Sequence, residues 1–293
     1  MNVTEDFIDG LSERDVWKWG RDSIDVFISA NDTGNLDRFL RSYNISYKVI
    51  SEDVQENIEK ENMMRNGRRF SSRGHMTFTS YPTLKEIYDY LHDIRKANPD
   101  YCSLRTIGTT ANNQPIRMIT ISNRNPSNLA MLVDGGMHAR EWTGVMSVMY
   151  LIEQLAWNFT GQPESVQSKT WYIIPVLNPD GYVYSMTKDR FWRKNFRKFS
   201  GPCDGVDVNR NFPYGWGLKG SSKTICSIVF CGITKFSEAE SQALRELVEH
   251  IRLLAYVSIH SYGSKVVYPV ALNGKQTVDV YIQQLVGKEM TKV

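Results

Sequence analysis

Leu129-Ala-Met-Leu-Val-Asp-Gly-Gly-Met-His138-Ala-Arg140-Glu141-Trp-Thr-Gly144 is the stretch on which the fold turns. Its first five residues are a short apolar run of the kind that makes a buried strand. His138 and Glu141 follow, three positions apart. An imidazole and a carboxylate so spaced can face one point, which suits two of the three protein ligands of a catalytic zinc. The fourth position of such a site is open to water, so the chemistry indicated is hydrolysis rather than structural metal binding. The pair alone is a weak signal, because many helices carry a His-x-x-Glu by chance.

The search for a third ligand is short, since the chain has five histidines. His75 lies in a Ser/Arg/Gly-rich stretch that reads as a linker. His92 and His250 fall on helical patterns among charged residues, where an imidazole is usually solvated. His260 ends Leu253-Leu-Ala-Tyr-Val-Ser-Ile259, an apolar, partly β-branched run that reads as a second buried strand. Ligand sites in open α/β sheets gather at the carboxyl ends of strands. Because His138 also follows an apolar strand, His260 is the candidate third ligand. Arg193, in Phe191-Trp-Arg-Lys194, can polarise a carbonyl and hold a developing oxyanion. Asn209 and Arg210, in Gly205-Val-Asp-Val-Asn-Arg-Asn-Phe212, offer an amide and a guanidinium fork for a free carboxylate.

Five segments, in order, now resemble the zinc metallocarboxypeptidases of the pancreatic A/B type. They are His138-Ala-Arg-Glu141, Asn178-Pro-Asp-Gly-Tyr182, Trp192-Arg-Lys194, Asp207-Val-Asn-Arg-Asn211 and Ser258-Ile-His-Ser-Tyr262. The resemblance implies one zinc ion held by His138, Glu141 and His260, with Arg193 as the residue that polarises the carbonyl. It implies Asn209 and Arg210 as anchors of the substrate's terminal carboxylate, and Arg140, Ser261 and Tyr262 as residues of the substrate groove. The implied activity is hydrolysis of the C-terminal peptide bond of peptides and proteins. A disulfide common in the family implies Cys203 with Cys226, which leaves Cys102 and Cys231 either paired with each other or buried as thiols. Ser227-Ile-Val-Phe-Cys231 departs from the family's Ser-Glu/Asp-Thr-Tyr type of stretch, away from the expected ligands.

The family uses a glutamate on a late strand to move the proton of the attacking water, and a tyrosine on a mobile loop to close over substrate. Neither is found here. The acidic residues after His260 are Asp279 and Glu289, both in Thr277–Lys292, whose apolar Val278, Ile282, Leu285 and Val286 have amphipathic-helix spacing. The chain thus reads as truncated at its C-terminus, with an exposed flank expected on the strand before His260. As written, it is expected to show little or no peptidase activity.

Residues 1–69 read as a partial activation propeptide, 70–76 as a cleavable linker, and 77–293 as the catalytic domain with its C-terminal part missing. Ile24–Ile28 reads as a strand, Leu36–Tyr43 as a short helix, Ile45–Ile50 as a second strand and Glu52–Arg65 as a charged helix. Ile45–Gln55 resembles the family's propeptide, a small α/β domain over the active site. Arg68, Arg69 or Arg73 would suit a trypsin-like activating protease; the alternative is an ordinary linker, where nicking concentrates anyway.

A formal charge of +3 gives no reason to invoke nucleic acid or an anionic membrane. No run reaches transmembrane length, and no signal peptide is visible. The expected protein is a secreted, extracellular monomer; sequons at Asn2, Asn31, Asn44 and Asn158 permit glycosylation. Leu84, Ile87, Tyr88, Leu91 and Ile94 give an amphipathic helix, Pro115–Ser122 and Thr170–Leu177 strands, and Glu141–Trp157 an apolar helix. Asn178-Pro-Asp-Gly reads as a turn toward the mouth of the site, and Ser237-Glu-Ala-Glu240 as a capping box opening another helix. Strands alternating with helices predict an α/β fold, a mixed, mostly parallel sheet with helices on both faces, behind the small propeptide domain. Two other functions stay open: a zinc acyl-amino-acid deacylase on the same scaffold, and a non-catalytic secreted protein that binds zinc or peptide.

Overall fold

The computed structural model describes residues 7, 10–11, 14–20, 23–64, 75–269 and 277–292. Its N-terminal part holds an antiparallel pair, β1 (Asp15–Trp19) and β2 (Ile24–Phe27), and the helices α1 (Thr33–Ser42) and α2 (Val54–Met64). Leu40 anchors α1 among Phe7, Leu11 and the side chains of β1 and β2. The strand expected at Ile45–Ile50 does not form. Residues 45–50 are irregular and Ile50 is 79% exposed, since no strand among the described residues lies beside them to take their backbone groups. The second strand of this part is β1, which the sequence reading missed. Residues 70–74 of the expected linker, with Arg73, lie outside the described residues, as do Arg68, Arg69 and Asn2. His75 is held rather than loose, its Nδ1 2.5 Å from Glu153 Oε1 and its ring against Trp157.

The larger part is built on a five-stranded sheet in the order β3-β4-β6-β5-β7. The strands are β3 (Cys102–Thr109), β4 (Pro115–Ile121), β5 (Leu129–Gly135), β6 (Lys169–Ile174) and β7 (Leu253–Ile259). Its mixed character agrees with expectation, but the parallel share is half. β5 pairs in parallel with β6 and β7, whereas β3–β4 and β4–β6 are antiparallel. The turn of residues 110–114 joining β3 to β4 is far too short for a parallel crossover, which fixes that pair as a hairpin.

Helices cover both faces. On one side lie α3 (Leu84–Ala97) and α4 (Trp142–Ala156). Thr83 and Glu86 form a reciprocal capping box at the start of α3, and Leu84, Ile87, Leu91 and Ile94 form its buried stripe. Helix α4 is apolar on most of its surface and buries Val145, Val148, Met149 and Ile152 at full coverage. A short α5 (Glu164–Gln167) precedes β6, and α6 (Pro179–Thr187) follows it. On the other face, α7 (Ala239–His250) packs Ala243, Leu244 and Leu247 against Ile116, Met118, Leu132 and Ile174. Helix α8 (Val280–Met290) closes the described chain and buries none of its residues. Among the described residues β7 is one edge of the sheet, with Leu254 and Tyr256 half exposed, as the sequence expected of its flank.

The capping box expected at Ser237 and Glu240 is absent: Glu238 occupies the N-cap with no side-chain cap bond. Tertiary contacts claim these side chains instead. Asn195 donates its amide to Glu238 Oε2 at 2.8 Å and Glu240 Oε2 at 3.1 Å, while its Oδ1 accepts from Val206 N at 2.8 Å. This ties the Arg193 segment to the Asp207 segment beneath the site.

Two measurable consequences follow from this packing. A Cβ on Gly144 would lie 2.8 Å from the Ile259 carbonyl oxygen, so α4 approaches the end of β7 as closely as glycine allows. The clash is with backbone and outweighs alanine's better helix propensity; Gly144→Ala is expected to lower stability in urea titration by about 1–3 kcal/mol. Burial, aided by the charge of Glu238, pushes the Glu240 carboxyl up to about 7 from its ordinary 4.5. A folded pKa above the unfolded one means stability that is full below about pH 4.5 and lost as pH rises through about 7. Glu240→Gln is therefore expected to match the parent near pH 4.5 and to exceed it at pH 8, by about 3 kcal/mol at most. Denaturation midpoints across that range check it, and parallel pH curves for the two proteins would contradict it.

Candidate metal centre

β5 and β7 run side by side in register, Asp134 opposite Ser258 and Gly135 opposite Ile259. The chain leaves both strands at the same edge, so His138 and His260 emerge as neighbours. Gly136 makes the exit from β5 possible. It adopts φ +63°, and a Cβ there would meet Val145 Cγ2 at 2.8 Å. Glu141 stands at the N-cap of α4, one residue before the helix begins.

The three side chains converge. His138 Nδ1 lies 2.7 Å from Glu141 Oε1, and His260 Nδ1 lies 2.8 Å from Glu141 Oε2 and 3.0 Å from His138 Nδ1. Ligand atoms of all three fall within 4.8 Å of one another. The outer nitrogens are both engaged, His138 Nε2 with Asp207 Oδ1 at 3.2 Å and His260 Nε2 with Ser258 Oγ at 3.1 Å. Each imidazole can therefore turn a Nδ1 lone pair inward beside a carboxylate. Two imidazole nitrogens and one carboxylate make a donor set that fits a catalytic zinc.

Electrostatics favour a cation here. Burial pushes the Glu141 carboxyl up, but the imidazoles, His138 foremost, outweigh it and hold it far below the ordinary range. For Asp207, fully buried, the guanidinium of Arg193 and then His138 likewise overcome the burial penalty. Arg193 donates from Nε at 3.1 Å and Nη2 at 2.9 Å to Asp207 Oδ2, and its Nη1 stands 3.9 Å from Glu141. Asp134 shows the opposite balance: burial raises its carboxyl, though Tyr256 and Ser258 both donate to it.

Loops carry the remaining expected residues to the same edge. Asn178, expected in a turn, is the N-cap of α6. Its Oδ1 accepts from Gly181 N at 2.9 Å, and its amide donates to the carbonyls of Met137 at 3.2 Å and Lys194 at 3.1 Å. One side chain thus ties the His138 loop to the Arg193 loop. Asn209 and Arg210 occupy a 3-10 turn capped by Asp207, whose Oδ1 accepts from Asn209 N at 3.0 Å. Arg210 Nε donates to Gly220 O at 2.7 Å, which orients the guanidinium. The Cys203–Cys226 disulfide brackets this turn, and Cys102 and Cys231 are buried thiols. Ser261 N donates to Glu141 Oε2 at 3.2 Å, and the Ser261–Tyr262 peptide bond is cis.

The N-terminal part sits on these residues. Arg140 makes a two-pronged ion pair with Asp15, Nη1 to Oδ2 at 2.6 Å and Nη2 to Oδ1 at 2.8 Å. Tyr262 donates its hydroxyl to Asp25 at 2.7 Å, and Arg190 grips Glu61 from Nε at 2.6 Å and Nη2 at 3.1 Å. Trp17 and Phe27 pack on Phe191 with ring centroids 5.0 and 4.7 Å away. A cleft of about 730 Å³ remains between the two parts, lined among others by Asp15, Phe27, Phe191, Arg193 and Lys194.

Sequence reasoning gave no role to Asp134, Asn195, Asp207, Glu238 or Tyr256. The alternation Tyr256, Ser258, His260 along β7 was a usable signal, since it puts all three on one side of the strand. The partners of Asp207 and Asn195 are distant in sequence, and nothing local announced them.

A family profile described as zinc carboxypeptidase matches residues 87–292, and one described as carboxypeptidase activation peptide matches residues 6–61. Among curated relatives, carboxypeptidase B of Helicoverpa zea is 32% identical over 263 residues, covering 85% of this chain and 61% of the relative. Carboxypeptidase A6 of Homo sapiens is 33% identical over 253 residues, covering 84% of this chain and 57% of the relative. The chain therefore spans about three fifths of these relatives' length. The crystal structure of carboxypeptidase A from Helicoverpa armigera superposes with a TM-score of 0.88 at 29% identity, over 97% of this chain and 72% of that one. Thrombin activatable fibrinolysis inhibitor superposes at 0.83 and 26% identity, over 99% of this chain and 76% of that one. With both profiles matched in order on one chain, and a His-Glu-His centre at the edge of a mixed sheet, this chain belongs to the zinc carboxypeptidase family and carries that family's activation peptide.

Proposed function

We propose that this chain provides the metal-binding and carboxylate-docking machinery of a secreted, monomeric zinc carboxypeptidase zymogen, acting on the C-termini of peptides and proteins. The observation that carries the reading is the meeting of His138, Glu141 and His260 at the ends of two parallel strands. These three would hold one zinc ion. Bound there, the ion would supply a Lewis acid and a water acidic enough to attack near neutral pH.

The chain's own residues supply the rest. Arg193 is fixed by Asp207 through Nε and Nη2, which leaves Nη1 on the side of Glu141 to hold the oxyanion of a scissile carbonyl. Asn209 and Arg210 would take the free carboxylate of the terminal residue, the guanidinium by a paired hydrogen bond. That contact selects chain ends over internal bonds, since an internal residue has no carboxylate to offer. Arg140, Ser261 and Tyr262 would line the groove for the upstream peptide. Glu141 is committed to the imidazoles and Asp207 to Arg193 and His138, so neither is left to carry a proton.

Asp15 on Arg140 and Asp25 on Tyr262 block the same groove. Cleavage at Arg68, Arg69 or Arg73 by a trypsin-like protease would release that part. The ion pairs are individually modest, but they sit over an aromatic cluster whose burial adds to them.

The test is binding by the trypsin-processed chain, loaded with zinc. A blocked dipeptide with a free C-terminal carboxylate is expected to bind at least tenfold tighter than its C-terminal amide. Arg210→Ala should abolish that difference. Equal binding of acid and amide by the parent protein would contradict the reading.

A further inference from the structure

Asp134 is fully buried at the end of β5, yet none of the roles above uses it. Both its oxygens are occupied: Ser258 Oγ donates to Oδ1 at 3.0 Å, and the Tyr256 hydroxyl donates to Oδ2. The same Ser258 Oγ lies 3.1 Å from His260 Nε2. The arrangement follows from the β5–β7 register, which sets Asp134 opposite Ser258, and from strand alternation, which puts Tyr256, Ser258 and His260 on one side.

The direction of these hydrogen bonds is decided by chemistry. An ionised carboxylate is acceptor-only, whereas a hydroxyl has one hydrogen and two lone pairs. If Ser258 gives its hydrogen to Asp134, it can offer His260 only a lone pair. His260 must then carry its proton on Nε2 and present Nδ1 unprotonated toward Glu141 and His138.

Resting on the metal-centre reading above, we propose that Asp134 and Ser258 are positioning residues that fix the tautomer and orientation of His260 for metal binding. Tyr256 completes the relay by occupying the other carboxylate oxygen. The device differs from the one on the opposite imidazole. There Asp207 meets His138 Nε2 directly and also holds Arg193, whereas His260 is reached through an intervening hydroxyl. Removing a partner of this kind beyond a metal's own ligands typically costs about 10–100-fold in metal affinity.

Zinc affinity of the full chain, measured by competition with a chromogenic chelator, tests this. Ser258→Ala is expected to weaken zinc at least tenfold while leaving the unfolding midpoint of the metal-free protein within a few degrees of the parent. Ser258→Thr, which keeps the hydroxyl, should bind within threefold of the parent. Asp134→Asn, equal in shape without the charge, should weaken zinc at least threefold, and it decides the matter if Ser258→Ala proves too unstable to titrate. His260→Ala separates the two readings. If it binds zinc as tightly as the parent, the metal centre itself is wrong. If it loses zinc while Ser258→Ala and Asp134→Asn hold it as tightly as the parent, the proposed relay is overturned and the centre stands.

Discussion

The parallel pairing of β5 with β7, in a register that sets Gly135 opposite Ile259, is the constraint on which the site depends. Side chains about 120 positions apart become neighbours only because two strands end at one level. A slip by one residue would turn every side chain of β7 to the other face, taking Ser258 and His260 away from Asp134 and Glu141. Ile259, packed against the core on the α4 side, would lose that packing, which makes the slip costly. Gly144 lets the start of α4, and with it Glu141, come down onto the end of the partner strand. Packing and chemistry are thus set by the same few contacts.

Each buried carboxylate at the site sits between two nitrogen-bearing side chains. Asp207 lies between Arg193 and His138, and Glu141 between the two imidazoles. Buried ions are expensive unless paired, and leaving Asp207, Glu141 or Arg193 alone would cost several kcal/mol. The network therefore holds the loops in place by mutual need. Behind it, Asn195 joins the Arg193 and Asp207 segments to Glu238 and Glu240, and Asn178 joins the His138 loop to Arg193's neighbour. Rigid placement of this kind suits metal binding, since the ligands must stay aimed at one point. The N-terminal part engages polar groups beside the centre: Asp15 pairs with Arg140, Glu61 with Arg190, and Asp25 accepts from the Tyr262 hydroxyl.

How far the sequence could be read depended on how local the deciding contacts were. The runs Leu129–Val133 and Leu253–Ile259 are apolar enough to be strands in any context, and the histidines after them were legible for that reason. The apolar face of Leu84–Ala97 likewise announced a helix. Ile45–Ile50 has β-prone residues too, but a strand needs a neighbour, and it has none among the described residues. Ser237–Glu240 has the spacing of a capping box, yet Asn195 and Glu238 compete for the same side chains and win through burial. Asp207 stood inside a quoted motif without a role, because its partners His138 and Arg193 come from other loops. Asp134 was hidden for the same reason, since its donors lie on the neighbouring strand.

Two imidazoles and one carboxylate of this chain are arranged to share a single metal ion. X-ray absorption at the zinc K-edge, on the full chain loaded with one equivalent of zinc, tests that arrangement most directly. The expected spectrum has a first shell of nitrogen and oxygen alone, with outer-shell scattering from two imidazole rings. Sulfur in the first shell, or scattering from fewer than two imidazoles, would contradict it.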